Sequence, residues 1–326
     1  MKKKLLSILM IFTLILTGCG TSESEQSKEE TVTLNIAYQY GLAYAPLIIA
    51  EQQQLIEKAY KDATGKELTV VWNQMNSGAD INTGITSGSL DVGFLGVAPA
   101  ITGITKNVGY KIFTNLSGQE HVFMTNNSSL TSFEDFIGSS NQIAVVNVGS
   151  IQHIILAKAL NDNGYDPHAL DSNLAVMKHP DGMTALESGN VAGHVTSSPY
   201  IYMERANDSL FEITEVNSCW PKENSFIVGV ASESLHDNNK EAYDALCKGV
   251  SDAIDYLNEN QEETAKLTCE YDGNTPEDEL EYIKKGNYSI ETKGLFELSS
   301  FMADAEFIDT KPESIDELVF DNVTGD

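Results

Sequence analysis

The chain of 326 residues contains a single arginine, Arg205, and carries 20 basic against 48 acidic side chains. Its formal net charge is −28 at pH 7. A nucleic-acid-binding protein needs a basic surface to neutralise phosphates, so this composition argues against a nucleic-acid partner. The lone arginine also limits ligand chemistry, because bidentate capture of a carboxylate, phosphate or sulfonate usually depends on arginine.

Cysteine is equally scarce. Besides Cys19 there are three scattered residues, Cys219, Cys247 and Cys269, without any CxxC spacing. Metal and redox motifs built on cysteine are therefore disfavoured. Cys247 and Cys269 could pair if their helices pack antiparallel, and unpaired thiols are the simpler alternative.

Sequence signatures of catalysis are missing as well. No HExxH, GxSxG or P-loop motif occurs, nor a spaced set of histidines and carboxylates that would bind a metal. An acid/base pair of Asp181 and Glu187 is the one alternative that the residues leave open. We expect a protein that is not an enzyme, without catalytic residues, metal or cofactor.

The first thirty residues are typical of export and anchoring. Residues 1–18 begin with MKKK and continue with an apolar run over 5–16, which is too short for a membrane span and fits a signal peptide. The segment Leu16-Thr17-Gly18-Cys19 resembles the lipobox of bacterial lipoproteins, in which the cysteine is diacylated and becomes the first residue. An ordinary signal peptide with a chance cysteine is the alternative. Two acyl chains anchor a protein stably, and the polar residues 19–30 would form a flexible linker.

A repeated pattern organises the rest of the chain. Residues 77–99 read SGADINTGITSGSLDVGFLGVAP, which predicts a helix ending at Ser87-Gly88, a buried strand and a helix that opens at Pro99. About a hundred residues later, ALESGNVAGHVTSSPYIY repeats this arrangement, with Ser188-Gly189 ending a helix and Ser198-Pro199 opening another. Two similar α/β lobes facing each other across a cleft are the expected result.

Alternating strand and helix patterns predict an α/β fold with mostly parallel sheets and flanking helices. Helices are expected over 46–58, over 150–163 with Ser150 as N-cap, over 182–188 and over 199–206, followed by an acidic helical tail. The chain would cross between lobes near 116–121 and again near 214–221, and two crossings make a hinge. Lobe 1 is predicted to comprise 31–117 plus 222–326, and lobe 2 to comprise 118–221.

Four segments, taken in order, carry a family resemblance: SG…SGSLDVGFLGVAP, SFEDFIGSSNQIAVVNVGSIQHIILAKAL, HPDGMTALESG and SSPY. Together they resemble the extracytoplasmic solute-binding proteins of the nitrate/sulfonate/taurine and thiamine-precursor ABC importers, over roughly residues 32–235. The resemblance implies a type II periplasmic-binding-protein fold, a ligand held between the lobes, and delivery to a permease with a cytoplasmic ATPase. Where the family often has Asp-Ala after the second Ser-Gly, this chain has Ala192-Gly193, whereas Asp91 is present in the first half; we interpret both positions as structural.

The binding site is expected where strands lead into helices at the carboxyl ends of the sheets. Helix N-termini there can bind an anionic or electron-rich group without arginine. Serine hydroxyls can contribute contacts, although N-capping is the alternative role for each. The candidate ligand-binding residues are Tyr38, Tyr40, Tyr44, Asn76, Ser77, Gly78, Gly96, Val97, Leu116, Ser117, Gly149, Ser150, His153, Pro180, Ser197, Ser198, Tyr200 and Trp220.

Aromatic residues are frequent among these candidates, and each has a core role as its alternative. Their rings offer large contact area with a polar tip, which favours a planar or sulfur- or nitrogen-bearing organic solute over bare nitrate. A cationic ligand held by cation–π contacts is a further option. His153, on the helix capped by Ser150, could contact the ligand or only the lobe interface.

The sequence therefore predicts a monomeric, membrane-anchored substrate-binding protein of an ABC importer, tethered by lipidated Cys19 to the outer face of a bacterial cytoplasmic membrane. Its expected partners are a small organic solute of sulfonate, pyrimidine or aromatic type, the permease and the ATPase. Two alternatives remain: a stand-alone extracytoplasmic solute sensor, and an enzyme similar to the pyrimidine synthase of thiamine metabolism, whose cysteine-rich signature this chain lacks.

Overall fold

The computed structural model describes residues 32–326. The predicted signal peptide (1–18), the lipidation site Cys19 and the linker 19–30 lie outside the described residues. Within residues 32–326, no helix combines the length and apolar character needed to cross a membrane.

Strands and helices alternate through most of the described chain. The strands are β1 (Val32–Tyr38), β2 (Leu68–Gln74), β3 (Val92–Gly96), β4 (Tyr110–Ser117), β5 (Val122–Thr125), β6 (Ile143–Val145), β7 (Leu174–Val176), β8 (Gly193–Thr196), β9 (Phe211–Ile213) and β10 (Ile227–Ser232). The helices are α1 (Ala45–Gln52), α2 (Leu55–Thr64), α3 (Gly78–Thr86), α4 (Val97–Thr105), α5 (Ile151–Asp162), α6 (His179–Glu187), α7 (Tyr200–Arg205), α8 (Glu233–Asn238), α9 (Lys240–Glu259), α10 (Gln261–Asp272), α11 (Pro276–Ile283) and α12 (Leu295–Asp304).

The strands form two five-stranded sheets with the same internal plan. In the first sheet, of order β2-β1-β3-β10-β4, β1 pairs in parallel with β2 and β3, and β10 lies antiparallel between β3 and β4. In the second sheet, of order β7-β6-β8-β5-β9, β6 pairs in parallel with β7 and β8, and β5 lies antiparallel between β8 and β9. The predicted α/β fold of two mostly parallel sheets is confirmed.

Helices cover the faces of both sheets. On β5, Phe123 belongs to a large apolar cluster, whereas its neighbours Val122 and Met124 belong to a second cluster. Successive side chains of a strand point to opposite faces, so both faces of the second sheet are buried. Asp91 fulfils its expected structural role, because its Oδ2 accepts hydrogen bonds from the backbone N (2.8 Å) and the Nδ2 (3.1 Å) of Asn35.

Three helix boundaries differ from the sequence prediction. The single helix expected over 46–58 is two helices, because Gln54 adopts a left-handed conformation (φ 51°) that interrupts the helical hydrogen bonds between α1 and α2. Helix α4 begins at Val97 rather than Pro99, since Gly96 already ends the strand and acts as N-cap. Helix α6 begins at His179 rather than at residue 182, with Pro180 in its first turn.

Other local predictions agree with the structure. Ser150 caps α5 by accepting a hydrogen bond from the backbone N of His153. Ser132 and Asp135 form a capping box at a short 3-10 helix. Cys219, Cys247 and Cys269 are free thiols among the described residues, so the alternative of a Cys247–Cys269 disulfide is wrong.

The two connections between the sheets pass side by side. The backbone N of Phe226 donates to the carbonyl of Ser117 (2.9 Å), and Gly118 exchanges backbone hydrogen bonds with Asn287. A Cβ atom at Gly118 would lie 2.2 Å from the carbonyl oxygen of Lys222, closer than real Cβ atoms come to backbone. Glycine is therefore required where the connections touch. The exact lobe boundaries at 117/118 and 221/222 stay a prediction.

Replacing Gly118 by alanine is expected to lower the free energy of unfolding by about 2 kcal/mol, because the obstructing atoms are backbone and cannot move independently. Urea denaturation followed by circular dichroism measures the loss. The control is Gly65→Ala, at the end of α2, where φ is 73° but nothing lies within 4 Å of the added Cβ. That variant should lose about 1 kcal/mol from its left-handed conformation alone; equal losses at the two positions would contradict steric crowding at the connections.

Candidate functional site

A narrow cavity of about 30 Å³ lies between the two sheets, where their strands lead into helices. The residues that line it from the first sheet and its loops are Gln39, Tyr40, Ala43, Tyr44, Asn76, Gly78, Gly96, Pro99, Phe226 and Ile227. The residues that line it from the second sheet and its loops are Val146, Asn147, Ser150, Ile151, Gln152, Lys178, His179 and Ser197. A molecule in this cavity would contact both halves of the chain.

The N-termini of four helices reach the cavity wall. Gly78 is the first residue of α3, Gly96 is the N-cap of α4, Ser150 is the N-cap of α5, and His179 is the first residue of α6. Each N-terminus carries a partial positive charge and backbone N–H groups without helical partners. Their convergence produces a site suited to an anionic or electron-rich group.

The cavity wall is poor in full charges. Of the described residues that line it, Lys178 is the one lysine, and none is an arginine, aspartate or glutamate. The Nζ of Lys178 lies 5.2 Å from the ring centroid of Tyr40, which comes from the opposite side of the cavity. A cation–π contact therefore joins the two halves at the site. The local charge is positive although the chain as a whole is strongly acidic.

A chain of buried hydrogen-bonding groups begins at the cavity. The Nε2 of His179 lies 3.0 Å from the Nε2 of Gln152 and 3.2 Å from the Oγ of Ser197. Its Nδ1 lies 3.1 Å from the Nε2 of His194, whose Nδ1 lies 2.6 Å from the Oε1 of Glu204. Burial lowers the pKa of His179 well below its usual range, and His194 and His121 lower it further. His179 is consequently a neutral imidazole at physiological pH.

Three tyrosines at or beside the cavity, Tyr44, Tyr200 and Tyr38, are kept neutral by burial. The hydroxyl of Tyr44 accepts a hydrogen bond from the Nε2 of Gln39 (2.7 Å), and burial raises the pKa of Tyr44. Tyr200 stacks on His179 with ring centroids 5.6 Å apart, and burial raises the pKa of Tyr200. Burial likewise raises the pKa of Tyr38 to about 12. These hydroxyls keep their protons and can act as hydrogen-bond donors.

The structure brings part of the predicted candidate set to the cavity wall. The candidates that line the cavity are Tyr40, Tyr44, Asn76, Gly78, Gly96, Ser150 and Ser197. The candidates that do not line it are Tyr38, Ser77, Val97, Leu116, Ser117, Gly149, His153, Pro180, Ser198, Tyr200 and Trp220. Most of the second group are chain neighbours of lining residues.

Two candidates are directed elsewhere by their own contacts. The Nε2 of His153 lies 2.8 Å from the Oδ1 of Asp171, and its Nδ1 accepts from the backbone N of Gly149 (3.0 Å). Two roles were considered for His153, contact with the ligand and contact at the lobe interface. The structure shows no contact of His153 with the cavity. Trp220 is 1% exposed and its Nε1 donates to the carbonyl of Ser225 (3.1 Å), so the structure places this ring in the core.

Lys178, His179, Gln152 and Phe226 line the cavity but were not among the candidates. Lys178 and His179 were missed because, of the loop expected to precede residue 182, Pro180 alone was chosen as a ligand contact. Proline is favoured in the first turn of a helix, so Pro180 is a signal that could have placed the start of α6 at His179. No local signal marks Gln152 or Phe226, because only tertiary packing brings them to the wall.

Within residues 32–326, no group of three or more His, Cys, Asp or Glu side chains is arranged to hold a metal ion. The two similar sheets and the cavity between them define the class of the protein, a periplasmic-binding-protein fold with two lobes. A model of the NMT1-like family matches residues 27–271. The chain belongs to the NMT1-like family.

Solved structures confirm the fold. The alkanesulfonate-binding protein SsuA from Xanthomonas axonopodis pv. citri, bound to MOPS, is 14% identical with a TM-score of 0.72, covering 91% of this chain and 99% of that one. The CA3427 gene product of Candida albicans, described as having the generic periplasmic binding protein fold, is 15% identical with a TM-score of 0.72, covering 90% and 97%. The nitrate-binding protein NrtA from Synechocystis PCC 6803 is 18% identical with a TM-score of 0.61, covering 76% and 69%. A search of curated proteins finds no match.

Proposed function

We propose that this protein is the extracytoplasmic substrate-binding protein of an ABC importer, and that it captures a small organic solute with an anionic or electron-rich group. The observation that carries the proposal is the convergence of four helix N-termini and Lys178 on one cavity whose described lining contains no acidic residue. In this proposal diacylated Cys19 tethers the protein to the outer face of the cytoplasmic membrane, and a permease with its ATPase receives the solute.

The solute would be bound by closure of the two lobes. The lobes lie close together in the structure and leave a cavity of about 30 Å³ between them. We expect the lobes to move apart to admit an organic solute. Because Tyr40 and Lys178 come from opposite sides of the cavity, a solute that touches both residues would contact both lobes at once and favour the closed state.

The residues of the cavity wall indicate which classes of solute fit the site. SsuA and NrtA are named for binding alkanesulfonate and nitrate, respectively, and both solutes accept hydrogen bonds. The rings of Tyr40, Tyr44 and Phe226 add apolar contact area that bare nitrate would leave unused. Sulfonates, pyrimidines and aromatic acids are therefore the classes to examine first.

Native mass spectrometry of the purified protein, followed by a thermal-shift screen of sulfonates, pyrimidines and aromatic acids, tests the proposal. A solute that binds the folded state stabilises it by about 2.7 kcal/mol when its concentration is 100 times Kd. We expect at least one compound of these classes to raise Tm in a concentration-dependent way. If no sulfonate, pyrimidine or aromatic acid shifts Tm and only cations or neutral sugars do, the proposed solute class is wrong.

Replacing Tyr40 by alanine is expected to weaken solute binding about tenfold, since a stacking ring and its cation–π contact contribute about 1.4 kcal/mol. Isothermal titration calorimetry measures the change, and Tyr40→Phe should retain most of the affinity. The control is Tyr271→Ala, because Tyr271 is 50% exposed and does not line the cavity. An equal loss in both alanine variants would remove Tyr40 from the site.

A further inference from the structure

The hydrogen-bonded chain that starts at the cavity ends on a carboxyl group in the protein interior. We call the three side chains Glu204, His194 and His179 the buried relay. Glu204 and His194 are 0% exposed and His179 is 6% exposed. Gly182 leaves room for this arrangement, since a Cβ atom there would lie 2.7 Å from the Nε2 of His194.

One of the two carboxyl oxygens of Glu204 lacks a hydrogen bond. Its Oε1 contacts His194, whereas its Oε2 has no hydrogen-bond partner among residues 32–326. A buried carboxylate facing a neutral imidazole would keep an uncompensated charge, which costs several kcal/mol. The pair is therefore more stable with one additional proton, either on Glu204 or on His194 as the cation of an ion pair.

With the proton at either place, the remaining hydrogen bonds of the buried relay have the same donors and acceptors. If Glu204 is protonated it donates to the Nδ1 of His194, so the hydrogen of neutral His194 is on Nε2. If His194 is a cation, its Nε2 also carries a hydrogen. In either case His194 donates to the Nδ1 of His179, and neutral His179 carries its single hydrogen on the Nε2 that faces the cavity.

We propose that one proton held by Glu204 and His194 makes the Nε2 of His179 a hydrogen-bond donor at the cavity wall, and that the buried relay thereby selects solutes whose inner end accepts hydrogen bonds. The Oγ of Ser197 accepts from His179, and the Ser197 hydroxyl hydrogen is free for the solute. The structure directs the Nε2 of Gln152 at His179. In the inferred state this amide is rotated, so that its carbonyl oxygen accepts from His179 and its NH₂ group is free as well. The inference deepens the proposed function and rests on it for the identity of the solute.

Loss of the proton reverses every hydrogen bond of the relay. Ionised Glu204 accepts from the Nδ1 of His194, the Nε2 of His194 accepts from the Nδ1 of His179, and the Nε2 of His179 becomes an acceptor. Ser197 then donates to His179 instead of to the solute, and Gln152 keeps only one of its two amide hydrogens for the solute. The state without the proton therefore offers fewer donors to an acceptor-bearing solute.

Other titratable groups around His179 do not produce this effect. His121, in the connection between β4 and β5, stays neutral because burial lowers its pKa to about 3. Tyr200, stacked on the ring, stays neutral because burial raises its pKa. At the start of α6, the N-cap residue Lys178 and the exposed Asp181 contribute charges of opposite sign, so the test includes a control variant at Asp181.

The first measurement needs no solute. Two-bond ¹⁵N–¹H correlation spectra of the purified protein labelled with ¹⁵N-histidine identify which ring nitrogen of each histidine carries hydrogen. We expect the Nε2–H tautomer for His179 at pH 6. The Nδ1–H tautomer for His179 across about pH 5 to 8, the range in which histidines ordinarily titrate, would overturn the inference even if a solute binds.

The second measurement compares affinities for ethanesulfonate by calorimetry at pH 6. Glu204→Gln supplies a neutral amide that can donate to His194 as a protonated carboxyl does, so its Kd should stay within about twofold of that of the unmodified protein. Asp181→Asn is the control and should also stay within about twofold. A Kd raised more than about tenfold in Glu204→Gln but not in Asp181→Asn would overturn the inference, whereas failure of ethanesulfonate to bind counts against the solute class and leaves the tautomer measurement to decide the relay.

Discussion

Replacing Lys178 by methionine is expected to weaken binding of an anionic solute by about 100-fold, which corresponds to about 2.7 kcal/mol. Lys178 supplies the one full positive charge on the described cavity wall, and methionine preserves most of its apolar stem. The four helix N-termini remain in the variant, so binding should be reduced rather than abolished. Isothermal titration calorimetry with the solute found by screening measures the loss.

Lys66→Met provides the matched control, because Lys66 is exposed and does not line the cavity. It removes the same charge from the protein as a whole and should change Kd by less than about twofold, since exposed charges are screened at physiological ionic strength. Lys178→Arg should keep much of the affinity. Equal, small changes in Lys178→Met and Lys66→Met would show that the bound group is not anionic.

Replacing Trp220 by alanine is expected to lower the free energy of unfolding by about 4 kcal/mol, because removing a fully buried large ring leaves a cavity. Trp220 also loses the hydrogen bond from its Nε1 to the carbonyl of Ser225. Urea denaturation followed by circular dichroism measures the loss. The effect should be on stability, since the ring does not line the cavity.

The second tryptophan of the chain is a suitable control. Trp72 lies on β2, is half-buried, and packs edge-to-face on Tyr38 with ring centroids 6.1 Å apart. Trp72→Ala should lose about 1 kcal/mol, the value of an aromatic pair with little additional burial. If Trp220→Ala instead leaves stability unchanged and abolishes solute binding, the sequence prediction that placed Trp220 in the site is right and the core role is wrong.

Much of the fold could be predicted because its signals are local. Ser87-Gly88 and Ser188-Gly189 follow the ends of α3 and α6 in equivalent places, and the glycines adopt the left-handed conformation that ends a helix. The break at Gln54 could not be predicted in this way. Neither glycine nor proline marks it, and a left-handed glutamine is uncommon.

The sequence predicts which loops form the candidate site better than it predicts which side chains line the cavity. Asn76, Gly96 and Ser150 all line the cavity. They could be predicted because the sequence marks where strands end and helices begin, and ligands bind at such positions. The buried relay was not predicted, because His179, His194 and Glu204 come from α6, β8 and α7, and the contacts between them depend on how these elements pack. Size does not separate the two roles of an aromatic residue: it suits Trp220 to a ligand and also to the core in which the structure places it.

The most direct test is a crystal structure of the protein grown with the solute that native mass spectrometry identifies. We expect the solute in contact with both Tyr40 and Lys178, with its acceptor atoms directed at the N-termini of α3, α4, α5 and α6 and within hydrogen-bond distance of Ser197. A solute bound outside this cavity, or one contacting residues of only one sheet and its loops, would contradict capture between two closing lobes.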